Sequence, residues 1–200
     1  MELETGLRRL QSLAVIAKAI AITVAASQLL CAVAIILTMN GAPGYDTLPG
    51  TGLTAIDTVV LVTFVILLTS FFAVGFWLYR AHANAIAAGV AALEYSPGWA
   101  IAWYAIPIAN LFKPYGAMKE LWQVSHREQV DSSQTAPALI WVWWLTWVFS
   151  SINGLNTTEA YNFIDAITSV LTAVSAGALF VIIDRITVSQ ADIRSESVFE

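Results

Sequence analysis

The chain has 200 residues, of which 58% are hydrophobic and only 12% charged, with a net charge of −5 and a mean hydropathy of +0.71. A soluble globular domain carries about a quarter charged residues, so this composition excludes one. The low charge excludes a disordered tail, 11 glycines exclude collagen, and the single cysteine, Cys31, excludes a disulfide scaffold. What remains is an integral membrane protein forming a single membrane domain over residues 1–200. No basic stripe is present to neutralise phosphates, so nucleic acid is not an expected partner.

A helix needs about 20 apolar residues to cross the hydrocarbon core. The first candidate span covers residues 19–39, with Lys18 at its start, where a long stem can snorkel to the head groups. It is read as a mature helix rather than a signal peptide, because Glu2 and Glu4 sit where a basic leader belongs and the apolar run is long. The second span covers 59–79 and stops at Arg80. The stretch 79–93 (YRAHANAIAAGVAAL) has the propensity to continue it as a helix, with Arg80 and Asn84 on one face.

Residues 99–112 form an apolar run, interrupted by Pro107 and Asn110 and too short to cross unaided. Pro107 removes a backbone donor and breaks any helix there. The run 115–126 (YGAMKELWQVSH) reads as an amphipathic helix, with Tyr115, Met118, Leu121 and Trp122 on one face and Lys119 and Gln123 turned away. It either lies on the inner leaflet or packs under the bundle. The third span, 136–152, is short and holds Trp141, Trp143, Trp144 and Trp147, read as an interfacial belt. The fourth, 164–183, stops at Asp184 and Arg185.

The basic residues set the orientation. With four spans, all nine Lys and Arg fall on the side of the N-terminus, while the connections 40–58 and 153–163 carry only the acids Asp46, Asp57 and Glu159. Both termini are therefore expected in the cytoplasm. Were 99–112 to cross, Lys113, Lys119 and Arg127 would move outside and the asymmetry would collapse. The segment 97–113 is instead expected as a Pro-broken re-entrant or interfacial piece entering from the cytoplasmic side. The fold class is all-α membrane: four transmembrane helices, with this segment and an amphipathic cytoplasmic helix between spans two and three.

Small residues recur every four positions at Ala17, Ala21 and Ala25 and again at Ser169, Ala173 and Gly177. Such faces let helices approach closely in lipid, so the first and fourth spans are expected to pack together. Catalytic groupings are sparse. His82 and His126 are the only histidines, both outside the spans, and no metal pattern, phosphate loop, HExxH or GxSxG occurs. Neither a cofactor nor a metal is expected, and no catalytic residue is assigned.

The densest pattern is SPGWAIAWYAIPIANLFKPY at 96–115, followed by MKELW at 118–122 and preceded by YRAHANA at 79–85. Over residues 57–186 this resembles the bacterial membrane family called domain of unknown function 4328, which supplies no activity. The resemblance implies that the loop is the family's identity, carried here by Arg80, Asn84, Pro97, Gly98, Trp99, Pro107, Asn110, Lys113 and Pro114. In a structural reading, Pro97, Gly98 and Pro107 shape the dip, Trp99 and Pro114 belong to the same structural loop, Asn110 satisfies backbone groups freed by the break, and Lys113 snorkels. In a functional reading, Arg80, Asn84, Asn110 and Lys113 converge on an anionic head group or small anion. The expected role is a non-enzymatic scaffold or accessory subunit. Its partners would be the lipid bilayer, other membrane proteins or further copies of the chain. A small channel or transporter with 97–113 as constriction, and a lipid head-group enzyme using a histidine, are the competing readings.

Overall fold

A computed structural model describes residues 2–42, 46–89, 93–126, 137–153 and 161–197. Among these the regular structure is all helical, and one isolated bridge joins Thr47 to Thr54. The six α-helices are α1 (Glu2–Met39), α2 (Ala55–Ala87), α3 (Pro97–Ala102), α4 (Lys113–Ser125), α5 (Ala138–Asn153) and α6 (Phe163–Ser197). Short 3₁₀ turns at Trp103–Ala105 and Ala109–Leu111 join α3 to α4.

Three of these helices, α1, α2 and α6, are long and apolar enough to cross a membrane. With 38 residues, α1 runs about 57 Å at 1.5 Å per residue, well beyond a hydrocarbon core of about 30 Å. The helices therefore overrun the apolar stretches: 2–18, 80–87 and 184–197 continue the same rods beyond them. Apolar composition marks only the part of a helix that lipid must solvate, so it places the helix ends too far inward. The 16 residues of α5 cover about 24 Å and fall short of an unaided span.

Capping fixes the two starts at the far end. The Thr54 side chain accepts from the Asp57 N–H at 3.2 Å, and the Asp57 carboxylate accepts from the Thr54 N–H at 3.1 Å, a reciprocal capping box for α2. Asn162 and Asp165 do the same work for α6, accepting from the Ile164 and Asn162 N–H groups at 2.8 Å each. The Tyr161 hydroxyl then donates to Asp57 at 3.2 Å and ties the two starts together.

The four apolar helices form an open row. α2 packs on α1, α1 on α6, and α6 on α5, whereas α2 and α5, at its two ends, do not pack along each other. α1 and α6 make the most extensive contact. Ala17, Ala21, Ser169 and Ala173 are buried and Ala25 half-buried, but Gly177 is exposed with nothing within 4 Å of where a Cβ would stand. The stripe therefore ends before Gly177. A four-residue step turns about 40° past a full circle, so two steps carry the third residue off the face of the first. Lys18 does not reach outward: its Nζ lies 2.7 Å from the Asp184 carboxylate and 5.7 Å from the Phe180 ring centroid.

The main core sits at the end of the row that bears the basic residues. Leu10, Trp77, Leu78, Met118, Leu121, Ile140, Ile182, Ile183 and Ile186 are fully buried there, with α4 wedged among α2, α5 and α6. By contrast, Leu61, Val62, Phe64, Val65, Leu68 and Phe72 of α2 are exposed. Water drives apolar burial and lipid does not, so a tight core belongs where the helices leave the bilayer. A smaller cluster of Cys31, Ile35, Ile56 and Ala166 closes the opposite end.

Two expectations change here. α4 is packed under the bundle rather than lying free: Gln123 is buried as well as Leu121 and Trp122, because neighbours cover both faces of the helix. The tryptophans of α5 do not make a belt. Trp143 and Trp144 are buried, Tyr115 of α4 stacks near Trp141 and Trp144, and only Trp141 of the three is exposed. The α3–α4 region covers the surface that lipid would otherwise touch.

Candidate functional site

The polar groups of the basic end are organised by one carboxylate. Glu120, buried on α4, accepts the backbone N–H of Glu94 at 2.5 Å and of Tyr95 at 3.2 Å. These donors sit just before α3, so α4 grips the chain where the 97–113 segment begins. Lys113, where the segment ends, places Nζ 3.4 Å from Glu94 and over the rings of Tyr95 (5.3 Å) and Trp103 (5.4 Å). The two ends of the segment thus meet. Between them lies a small pocket of about 240 Å³ lined by Glu94, Tyr95, Ser96, Trp99, Trp103 and Lys113.

Local chemistry shapes the segment between those ends. Ser96 caps α3 by accepting from the Trp99 N–H at 3.4 Å, and Pro97 begins the helix, where its missing N–H costs nothing. Gly98 and Trp99 are exposed. Ile106 is extended (φ −102°, ψ 109°), the conformation forced on a residue before proline, and Pro107 then turns the chain. The main-chain N–H of Asn110 donates to the Ile106 carbonyl at 2.8 Å across that turn. This bond comes from the backbone; the Asn110 side-chain oxygen is buried and without a partner. Pro114 is buried in the first turn of α4.

Arg80 and Asn84 are brought together elsewhere, against the first turns of α1. Arg80 Nε donates to the Gly6 carbonyl at 3.4 Å, and a Cβ at Gly6 would collide with both the Arg80 guanidinium and the Asn84 amide oxygen. Among the described residues no hydrogen bond or ion pair joins this pair to Asn110 or Lys113. Nearby, Gln190 of α6 donates to the Ala81 carbonyl (3.1 Å) and to Ser125 Oγ (3.0 Å), pinning α2 and α4 to α6. His82 is fully buried, with Nδ1 3.0 Å from the Leu78 carbonyl. His126 stacks on Trp122 at 4.2 Å. Among the described residues no three His, Cys, Asp or Glu side chains group to hold a metal.

Sequence reasoning missed Glu120, Gln190, Gly6 and the pairing of Tyr95 with Gly116. The available signal was a lone acid among Met118, Leu121 and Trp122, which has to find donors if it is buried. Burial raises the Glu120 carboxyl above its ordinary range, the two N–H bonds oppose that, and Glu94 adds to it. The Tyr95 phenol is pushed up to about 12, first by burial and then by the charges of Glu94 and Glu120.

Gly116 exists to admit Tyr95: a Cβ there would collide with the Tyr95 hydroxyl. Gly116→Ala is therefore expected to destabilise the protein by about 1–3 kcal/mol, the usual cost of overpacking. The Tyr95→Phe/Gly116→Ala double variant should recover most of that loss. Thermal midpoints of the four proteins in detergent check this, and strictly additive effects would rule out the contact.

The arrangement holds a loop; among the described residues it does not assemble a nucleophile, base and acceptor around a common point. No curated protein and no solved structure matches the chain. A family model described as domain of unknown function (DUF4328) matches residues 53–188, from just before α2 to late in α6; Glu94, Lys113 and Glu120 fall inside it, whereas Gly6 and Gln190 fall outside. The chain belongs to that family.

Proposed function

We propose that the chain is a four-span bacterial inner-membrane protein with cytoplasmic termini, acting as a non-enzymatic scaffold or accessory subunit. Residues 97–113 are its re-entrant segment. The observation that carries this reading is the contact of Glu94 with Lys113, which returns the segment to the end it left. The fourth crossing is supported by connectivity. α2 ends beside Gly6, at the basic end, while α6 begins beside Asp57, at the opposite one. The chain must travel back between them, and α5 lies antiparallel along α6, with Ser175 donating to the Trp143 carbonyl at 3.0 Å.

The scaffold role is supported by how the polar groups are used. Glu120, Lys113, Arg80 and Gln190 each hold another piece of the protein. A head-group enzyme working through His82 is disfavoured by that residue's complete burial.

Cysteine labelling in intact cells, in a Cys31→Ala background, tests the topology. Asp46→Cys and Ser151→Cys should react with an impermeant maleimide, and Ser12→Cys and Ser96→Cys should not. Reaction of Ser96→Cys from outside would overturn the re-entrant segment. Cross-linking in native membranes should then return a stoichiometric protein partner or oligomer; a monomer alone would sink the scaffold role.

A further inference from the structure

The open row leaves a cavity of about 340 Å³ between its two unpaired ends. α2 supplies Leu68 and Phe71 to one wall and α5 supplies Trp143 and Trp147 to the other. Ala176 of α6 lies at its back, and Tyr104 of the 97–113 segment closes the side toward the basic end. Phe71 and Trp147 both pack edge-on against the Tyr104 ring, at 5.8 and 6.0 Å.

The chemistry of the lining selects the occupant. Three hydroxyls border the cavity, and each already donates to a backbone carbonyl: Ser70 to Leu67 (2.7 Å), Thr172 to Thr168 (2.9 Å) and Ser175 to Trp143 (3.0 Å). A water needs two to four polar partners to remain in such a space, and with these three donors spent the rest of the lining is mostly hydrocarbon and aromatic ring. Left empty, the walls would forfeit their dispersion contacts. An occupant has to bring apolar surface and demand almost no hydrogen bonds. A single hydrocarbon chain does both, and the bilayer surrounds the row with them. A fourth hydroxyl, that of Tyr104, has no hydrogen-bond partner among the described residues.

We propose that this cavity is a lipid site, holding one acyl chain of a cytoplasmic-leaflet glycerophospholipid, with the Tyr104 hydroxyl donating to an ester oxygen. The site rests on the membrane topology proposed above but not on the scaffold role. It makes the re-entrant segment a wall of a lipid pocket, so that occupancy and the position of 97–113 are coupled.

The test is phospholipid retained by the full-length protein, purified in mild detergent and read by native mass spectrometry and by phosphorus per chain. The wild type should keep about one phospholipid. Ala176→Phe, which fills the cavity from its back wall, should lower retention at least fivefold with helix content unchanged. Tyr104→Phe should lower it two- to threefold. Equal retention in wild type and Ala176→Phe, or retention of detergent or free fatty acid alone, overturns the assignment.

A second measurement stands if Ala176→Phe does not fold. Wild-type protein in phosphatidylethanolamine vesicles, photolabelled from a diazirine on the acyl chain, should be marked mainly at Leu68, Phe71 and Trp147. Labelling that is no heavier there than at Leu29 and Leu30, which face outward on α1, would show ordinary bilayer contact and overturn the site. Neither readout depends on a protein partner, so failure of the scaffold role leaves both interpretable.

Discussion

Glu120→Ala is expected to destabilise the folded protein by about 2–4 kcal/mol, because it strands two donors that bond a charged acceptor. The Glu94 and Tyr95 N–H groups lose their shared partner, and the 97–113 segment loses its grip on α4. Glu120→Gln keeps one acceptor oxygen and should lose about half as much. Unfolding midpoints in detergent or in an SDS titration measure both, and a wild-type midpoint for Glu120→Ala would show that the clamp bears no load. The pH dependence follows with a definite sign. Burial holds the Glu120 carboxyl above its ordinary value of 4.5. Between that value and the folded one the native state binds more protons than the unfolded chain. Stability contributed by this group therefore falls as pH rises through the window and levels off above it. Glu120→Gln should lack that slope, and an equal slope in the variant would place its origin elsewhere.

Membrane class, the helices and the breaks around 97–113 were legible because each leaves a local signature. Apolar runs mark where lipid must be the solvent, and Pro97, Pro107 and Pro114 mark where backbone geometry changes whatever surrounds them. The order of helices in the row was not legible. It depends on side-chain contacts between distant stretches, such as Lys18 with Asp184 and Trp77 with Thr187. Lys18 illustrates the difficulty: a lysine at a span boundary is equally suited to snorkelling and to an ion pair, and only the partner's position decides. The candidate site was legible in part. Arg80 and Asn84 share a face, as four-residue spacing dictates, but what that face meets is a glycine on another helix. Glu120 lay inside the recognised motif and was passed over, since an acid on an amphipathic helix is read as solvated until a second helix buries it.

The largest single effect is expected at Trp77. It is fully buried, and its Nε1 donates to Thr187 Oγ1 at 3.1 Å, while Thr187 in turn donates to the Ile183 carbonyl at 2.6 Å. The indole therefore joins α2 directly to α6 across the N-terminal part of α1. Trp77→Ala should destabilise the protein by about 3–5 kcal/mol, as large-to-small changes in a closed core do. Trp77→Phe should cost about 1–2 kcal/mol, chiefly through the lost hydrogen bond. In Thr187→Val the indole N–H is left buried and unpaired, whereas the Trp77→Phe/Thr187→Val pair removes both partners at once. The double variant should thus be less destabilised than the sum of the singles, and a four-way comparison of unfolding midpoints measures that coupling. Leu78 and Val74, beside Trp77 on α2, also line the lipid-sized cavity. Loss of the indole should loosen α2 where it closes that cavity, so Trp77→Ala is expected to lower phospholipid retention as well as stability. A variant that lost stability but kept its phospholipid would show that the cavity is held by the α1–α6 floor alone.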